Sequence, residues 1–240
     1  MNIVAGALSG ADAGNYTLTS SNSSTTANIT AKGITGTITA ANKVYDGNTT
    51  ATTSASLSGL VIGDTVNLAS SGSFTDKNAA IGKTVNIVAG ALSGTDAGNY
   101  TLSSSNTTTT ANISAKAITA SGVNAQNKTY DGNTSATISG GTLNGVIGGD
   151  TVNLTSSGSF TDKNVANGKT VNISNTLSGT DANNYSISNS TTTANITAKG
   201  ITGTITAGNK VYDGNTTATT NGSLSGCLLY TSPSPRDLST

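Results

Sequence analysis

The chain has 240 residues, of which Thr, Ser, Gly and Asn supply 134 and the large apolar residues Val, Ile, Leu and Phe only 44. Eleven basic residues balance eleven acidic ones, and His, Glu and Trp do not occur. This excludes the basic patch of a nucleic-acid binder, removes the usual residues of acid–base, metal and cofactor chemistry, and leaves no apolar run near the ~18 residues of a membrane span.

The chain repeats itself. Tyr-Asp-Gly-Asn-Thr begins at Tyr45, Tyr130 and Tyr212, and Asp-x-x-Asn-Tyr ends at Tyr16, Tyr100 and Tyr185. Gly-Asp-Thr-Val-Asn-Leu begins at Gly63 and Gly149, and Gly-Ser-Phe-Thr-Asp-Lys-Asn at Gly72 and Gly158. The motifs keep one order with a period of about 84 residues, the signature of a repeat architecture.

Residues 1–32 read as the C-terminal part of a truncated repeat, since residues 2–18 match 86–102 except at Ala11/Thr95. Met1 stands where Val85 and Val171 stand in the other copies, so the expectation is a natural N-terminus further upstream. Residues 33–116 form the first complete repeat. Ile34 and Ile38 alternate with threonines, followed by Val66/Leu68, Val85/Ile87 and Tyr100/Leu102. Period two predicts half-buried strands, and Gly, Asn and Asp fall between them at the expected turns. Residues 117–199 repeat the pattern. Residues 200–226 are the N-terminal part of a third copy. Residues 227–240 break from it and hold the one Cys, the one Arg (Arg236) and both prolines. They resemble translated adapter sequence and are read as a non-native tail.

No helical spacing persists over three turns. The expected fold is all-β: tandem small β-sandwich (immunoglobulin-like) domains of about 84 residues. A parallel β-helix would need coils of about 20–30 residues, shorter than the visible period. Asp96-Ala97-Gly98-Asn99-Tyr100 and Asp181 to Tyr185 have the spacing of a tyrosine corner, whose hydroxyl bonds backbone upstream. Asn183 replaces the central Gly, which reads as a left-handed position that Asn tolerates.

Tyr45, Asp46 and Gly47, with Tyr130, Asp131, Gly132 and Tyr212, Asp213, Gly214, read as tight turns with the Tyr packed at a strand end. A calcium loop wants several alternating carboxylates, and here one stands alone. Asp64, Asp76, Asp96 and Lys77 read as solvated turn residues, with an intramolecular Lys–Asn isopeptide bond as the sharper alternative. The aromatics recur at fixed positions among apolar neighbours and read as core. Asn-x-Ser/Thr sequons arise from composition. No catalytic, cofactor-binding or metal residues are assigned, and no enzyme activity is expected.

The ordered set Lys-Val-Tyr-Asp-Gly-Asn-Thr, Gly-Asp-Thr-Val-Asn-Leu, Phe-Thr-Asp-Lys-Asn, Gly-Lys-Thr-Val-Asn-Ile, Leu-Ser-Gly-x-Asp-Ala-x-Asn-Tyr and Ala-Asn-Ile-x-Ala-Lys resembles the YDG repeat over nearly all of 1–226. The second copy departs slightly, with Lys128-Thr129-Tyr130. That resemblance implies an extracellular, secreted or surface-attached bacterial protein of the filamentous-haemagglutinin-like adhesin kind, with the repeats as its stalk. Neighbouring repeats are then the expected partners, with host-cell or matrix contact through other domains, no nucleic acid and no membrane insertion. The alternative is a module that itself binds glycan or host protein.

Overall fold

The computed structural model describes residues 6–19 and 24–227. The first repeat contributes β1 (Lys32–Ala40), β2 (Lys43–Val44), β3 (Thr50–Ala51), β4 (Thr53–Ser58), β5 (Asn67–Phe74), β6 (Ala80–Ser93), β7 (Tyr100–Ser105) and β8 (Thr108–Ser114). The second contributes β9 (Lys116–Ala125), β10 (Lys128–Thr129), β11 (Ser135–Ala136), β12 (Ile138–Asn144), β13 (Asn153–Phe160), β14 (Ala166–Ser178), β15 (Tyr185–Ile187) and β16 (Ser190–Thr197). β17 (Thr202–Ala207) and β18 (Thr220–Ser225) follow. Single 3-10 turns at Ala13–Asn15, Ala97–Asn99 and Ala182–Asn184 are the helical elements among the described residues.

The protein is all-β with several sheets. In the first repeat the strand orders are β4-β1-β7 and β2-β8-β6-β5-β3; in the second they are β12-β9-β15 and β10-β16-β14-β13-β11. β17 and β18 form a two-stranded antiparallel ladder. β1 pairs antiparallel with β4 but parallel with β7, and β9 does the same with β12 and β15. A parallel pair cannot be closed by a hairpin, so β1 and β7 are joined by a long crossover that contains the intervening strands.

The period-two pattern becomes burial. Along β1, Ile34, Gly36 and Ile38 face inward while the threonines between them face out. A Cβ on Gly36 would lie 2.7 Å from the Leu68 Cδ2, so the space above this glycine is filled by the Leu68 side chain. Ile34, Val66 and Tyr100 form one buried cluster, with Leu57, Leu60, Leu92 and Ala97 packed against it. In the second repeat Phe160, Val171, Ala194 and Ile196 are buried together, backed by Ala125, Tyr130, Ala136 and Ile138.

The chain divides into two compact units. The first takes the described residues up to Asn42 with Thr49–Thr75 and Gly82–Asn112; the second takes Lys43–Asn48, Asp76–Ile81 and the chain from Ile113. Two loops of the first repeat, carrying Tyr-Asp-Gly and Asp-Lys-Asn, therefore belong to the second unit. The proposed tail lies outside the described residues apart from Cys227, which is exposed.

One expectation is corrected. Asn183 does not occupy a left-handed position: no non-glycine residue among those described has positive φ. It sits inside the Ala182–Asn184 3-10 turn, as Gly98 sits inside Ala97–Asn99, and such turns keep negative φ for any L-residue. The demanding glycine is the one before the corner. Gly94 has φ +113° and its missing Cβ faces the Thr65 carbonyl oxygen; Gly179 has φ +117° against the Thr151 carbonyl. Gly94→Ala is expected to lower stability by roughly 1–3 kcal/mol in a denaturant titration. Gly98→Ala, with open space around it, should shift it by less than about 0.5 kcal/mol.

Candidate functional site

The recurring motifs build two kinds of turn. In the first, Lys43 reaches forward to its own Tyr-Asp-Gly-Asn segment. Its Nζ donates to Asp46 Oδ1 at 2.7 Å, to the Asn48 carbonyl at 2.8 Å and to Asn48 Oδ1 at 3.1 Å. The Asn48 N–H donates to Asp46 Oδ1 at 3.1 Å, closing an Asx turn, and Gly47 takes φ +80°. Lys128 with Asp131 and Asn133, and Lys210 with Asp213 and Asn215, repeat the clamp. Gly132 and Gly214 take φ +82° and +77°. The hydrogen bond from Lys128 holds the Asp131 carboxyl below its ordinary pKa, and Lys210 does the same for Asp213. The turn's oxygens thus converge on a lysine ammonium. Lys43, Lys128 and Lys210 are functional residues that the Tyr-Asp-Gly reading missed; the signal was Lys two residues before each Tyr.

The second turn is the tyrosine corner. The Asp96 carboxylate accepts the Thr65 N–H at 2.8 Å, and the Asp96 N–H returns to the Thr65 carbonyl at 3.3 Å. Asp181 and Thr151 do the same at 2.9 and 3.2 Å. This lock delivers the next tyrosine. The Tyr100 hydroxyl donates to Asp64 Oδ2 at 2.5 Å and accepts the Val61 N–H at 3.0 Å. Tyr185 donates to Asp150 Oδ2 at 2.6 Å and accepts the Ile147 N–H at 2.9 Å. The hydroxyl does bond backbone upstream, but in the turn between two strands rather than within the corner. Asp12 and Tyr16 carry the same local 3-10 turn, with Tyr16 72 % exposed.

The second unit brings both turns together around Asp150. Its side chain is 4 % exposed. Oδ2 accepts the Tyr45 hydroxyl at 2.8 Å as well as that of Tyr185, and Oδ1 accepts Lys77 Nζ at 2.9 Å. Lys77 also lies 3.6 Å from Asp181 and over the Tyr45 ring, whose centroid is 5.4 Å from that of Tyr185 in an edge-on contact. Beside them the buried Asn184 accepts the Ala79 N–H at 2.8 Å and donates to Asn78 Oδ1 at 3.2 Å. Tyr45, Lys77, Asn78 and Ala79 come from the first repeat, and Asp150, Asp181, Asn184 and Tyr185 from the second; all belong to the second unit.

The electrostatics follow. The hydrogen bonds from Tyr185, Lys77 and Tyr45 hold the Asp150 carboxyl down at about 2 against the opposing effect of burial. Asp150 and Tyr45 hold Lys77 above its ordinary range. Burial, then the Asp150 carboxylate, push Tyr185 up to about 12. Lys77, read from the sequence as a solvated turn residue, keeps a side chain 38 % exposed and serves as counter-ion to Asp150, the enclosed second-repeat counterpart of Asp64. Nothing in a turn sequence marks which Asp will be covered by another repeat. The pairing also works against an isopeptide bond at Lys77, because amide formation needs a neutral amine and an un-ionised carboxyl or amide.

Tyr45, Asp96, Tyr100, Asp181 and Tyr185 thus join bonded networks; Tyr130 is half-buried against the second core, and Tyr212 is 93 % exposed. Among the described residues no three carboxylates or thiols group as metal ligands, and no helix is long and apolar enough to cross a membrane.

An all-β chain in which the same turn-and-corner motifs recur in order is a tandem-repeat protein. The family model for the YDG domain matches residues 30–110 and 114–194, and the chain belongs to that family, carrying the domain twice in tandem. No curated protein and no solved structure matches the chain.

Two outcomes test the network. Tyr45→Phe, which removes one hydrogen bond to a charged acceptor, is expected to cost about 1.5–3 kcal/mol, and this loss should largely vanish in an Asp150→Asn background. The Asp150 pKa is depressed in the folded state, so its stabilisation is complete above the unfolded value of about 3.9 and is lost as pH falls toward about 2. Thermal melts should show that acid loss in the wild type and a smaller one in Asp150→Asn.

Proposed function

We propose that these repeats are structural spacer units in the stalk of a large secreted or surface-attached bacterial adhesin of the filamentous-haemagglutinin-like kind. Each repeat is read as a small immunoglobulin-like sandwich of about 84 residues, its two strand groups supplying the layers. The observation that carries the reading is the Asp150 network, where motif residues of one repeat bond motif residues of the next within one compact unit. Residues that recur in every copy are thereby used to hold copies together, which is what an array requires of its sequence.

A binding module would keep recurring aromatics at the surface. In the complete repeats Tyr45, Phe74, Tyr100, Phe160 and Tyr185 are buried, which favours the spacer reading. A groove of about 630 Å³ lies over Ser157, Ser159, Asn172, Ser174 and Thr191 and carries hydroxyls and amides without an aromatic platform.

Pulling the chain from its ends is the direct test. A stalk unit should unfold in discrete events, each releasing on the order of 250 Å of chain per YDG domain. Featureless extension at low force would count against the spacer reading. Saturable binding of the folded repeats to immobilised glycans or matrix proteins would replace it with the binding-module alternative.

A further inference from the structure

Two turns of the first repeat, distant from each other in sequence, close on one patch of the second. The turn Lys43–Asn48 presents Tyr45, which is buried; its hydroxyl donates to Asp150 Oδ2 at 2.8 Å and its ring meets that of Tyr185 edge-on. A Cβ on Gly47 would stand 3.2 Å from Ile147 Cγ2, so Ile147 packs on the backbone of the turn itself. The turn Asp76–Ile81 presents Lys77, whose Nζ lies 2.9 Å from Asp150 and 3.6 Å from Asp181. This turn is also held by its backbone: the Ala79 N–H donates to Asn184 Oδ1 at 2.8 Å, and Asn184 Nδ2 donates to Asn78 Oδ1 at 3.2 Å.

Bonds inside each turn are of another kind. The Lys43 clamp on Asp46 and the Asn78 N–H to Asp76 Oδ1 are local and exposed, so water competes for them. The bonds to the second repeat end on an enclosed carboxylate and a buried amide, whose partners water does not replace while the patch is closed. The division of the chain agrees. Both turns fall in the second compact unit, while the segments around them, Thr49–Thr75 and Gly82–Asn112, fall in the first. The Tyr45 N–H donates at 2.8 Å to the Ser114 carbonyl, which also belongs to the second unit.

We infer that the Tyr-Asp-Gly and Asp-Lys-Asn turns of the first YDG domain are held folded by the domain that follows. They open and close with the second unit and not with the strands on either side of them. The patch built by Ile147, Asp150, Asp181, Asn184 and Tyr185 is their receptor. Stability then passes in one direction, from a domain to the turns of its predecessor, as nearest-neighbour coupling in an array allows. Opening of the second unit releases Tyr45, Lys77 and Asn78 while the sheets of the first repeat persist, and so uncovers an aromatic and cationic surface that the closed pair hides. The inference rests on the Asp150 network and not on the spacer reading, whose pulling test is independent of it.

Native-state hydrogen exchange of the full chain, followed amide by amide, tests this. Ile196→Val loosens the second core and Ile34→Val the first, each by one carbon, so both variants should stay folded. The Phe160 N–H, bonded to the Thr134 carbonyl, reports the second unit, and the Ile87 N–H, bonded to the Thr107 carbonyl, reports the first. The Tyr45 and Ala79 N–H groups report the turns. Ile196→Val should speed exchange at Tyr45, Ala79 and Phe160 by one common factor, on the order of 2- to 10-fold, and leave Ile87 unchanged. Ile34→Val should speed Ile87 and leave the other three unchanged. Turn amides that respond to Ile34→Val, whether with Ile87 alone or with every reporter at once, overturn the proposal. So do turn amides that ignore Ile196→Val.

Discussion

A carboxylate taken out of water costs several kcal/mol unless its lone pairs are filled, and a hydroxyl-rich chain with one ammonium in reach can fill them. Asp150 meets that condition with two tyrosine hydroxyls and Lys77. Each donor is delivered by a different motif. The Lys43 clamp and Gly47 aim Tyr45; the Gly179–Asp181 lock on Thr151 aims Tyr185; the Asx turn from Asp76 to the Asn78 N–H aims Lys77. The order and spacing of the motifs are thus the geometric condition for solvating one buried charge without water.

The same economy runs through the core. Few large apolar residues are available, so the strands that carry the core bury one or two hydrophobic residues each, Ile34 and Ile38 on β1 and Val85 and Ile87 on β6 among them, with Gly36 and Ala111 at other inward positions. The space left by the missing side chains of Gly36 and Gly72 is taken up by the side chains of Leu68 and Thr53. Hydroxyls take up part of the work between strands, as in the 2.8 Å bond between Thr53 and Ser70. Among the described residues no buried side-chain nitrogen or oxygen lacks a partner. A polar composition is compatible with this fold because hydroxyls on a pleated surface can satisfy one another across the ladder.

Much of this was legible residue by residue. Alternation at Ile34/Ile38 and Val85/Ile87 marked strands because a half-buried strand must alternate. Asp-Gly marked turns because Gly47 needs positive φ. The corner spacing marked Tyr100 and Tyr185. What misled was local reasoning about residues whose role is non-local. Asn183 looked like a conformational substitute for glycine, yet the 3-10 turn makes no such demand. Asp64 looked solvated, yet its second-repeat counterpart Asp150 is enclosed, because a turn sequence says nothing about which turn will later be covered. Asn184 was overshadowed by its tyrosine neighbour, although Asn precedes Tyr in every copy.

The sequence by itself determined the β class, the repeat and its punctuation, since strand period and turn chemistry are properties of a few adjacent residues. Only the tertiary structure decided the parallel closure of β1 on β7, the enclosure of Asp150 and the assignment of two first-repeat loops to the second compact unit. Those features pair residues some 35 to 105 positions apart. Their stabilisation appears when the chain has closed those loops, and no window of neighbouring residues carries that information.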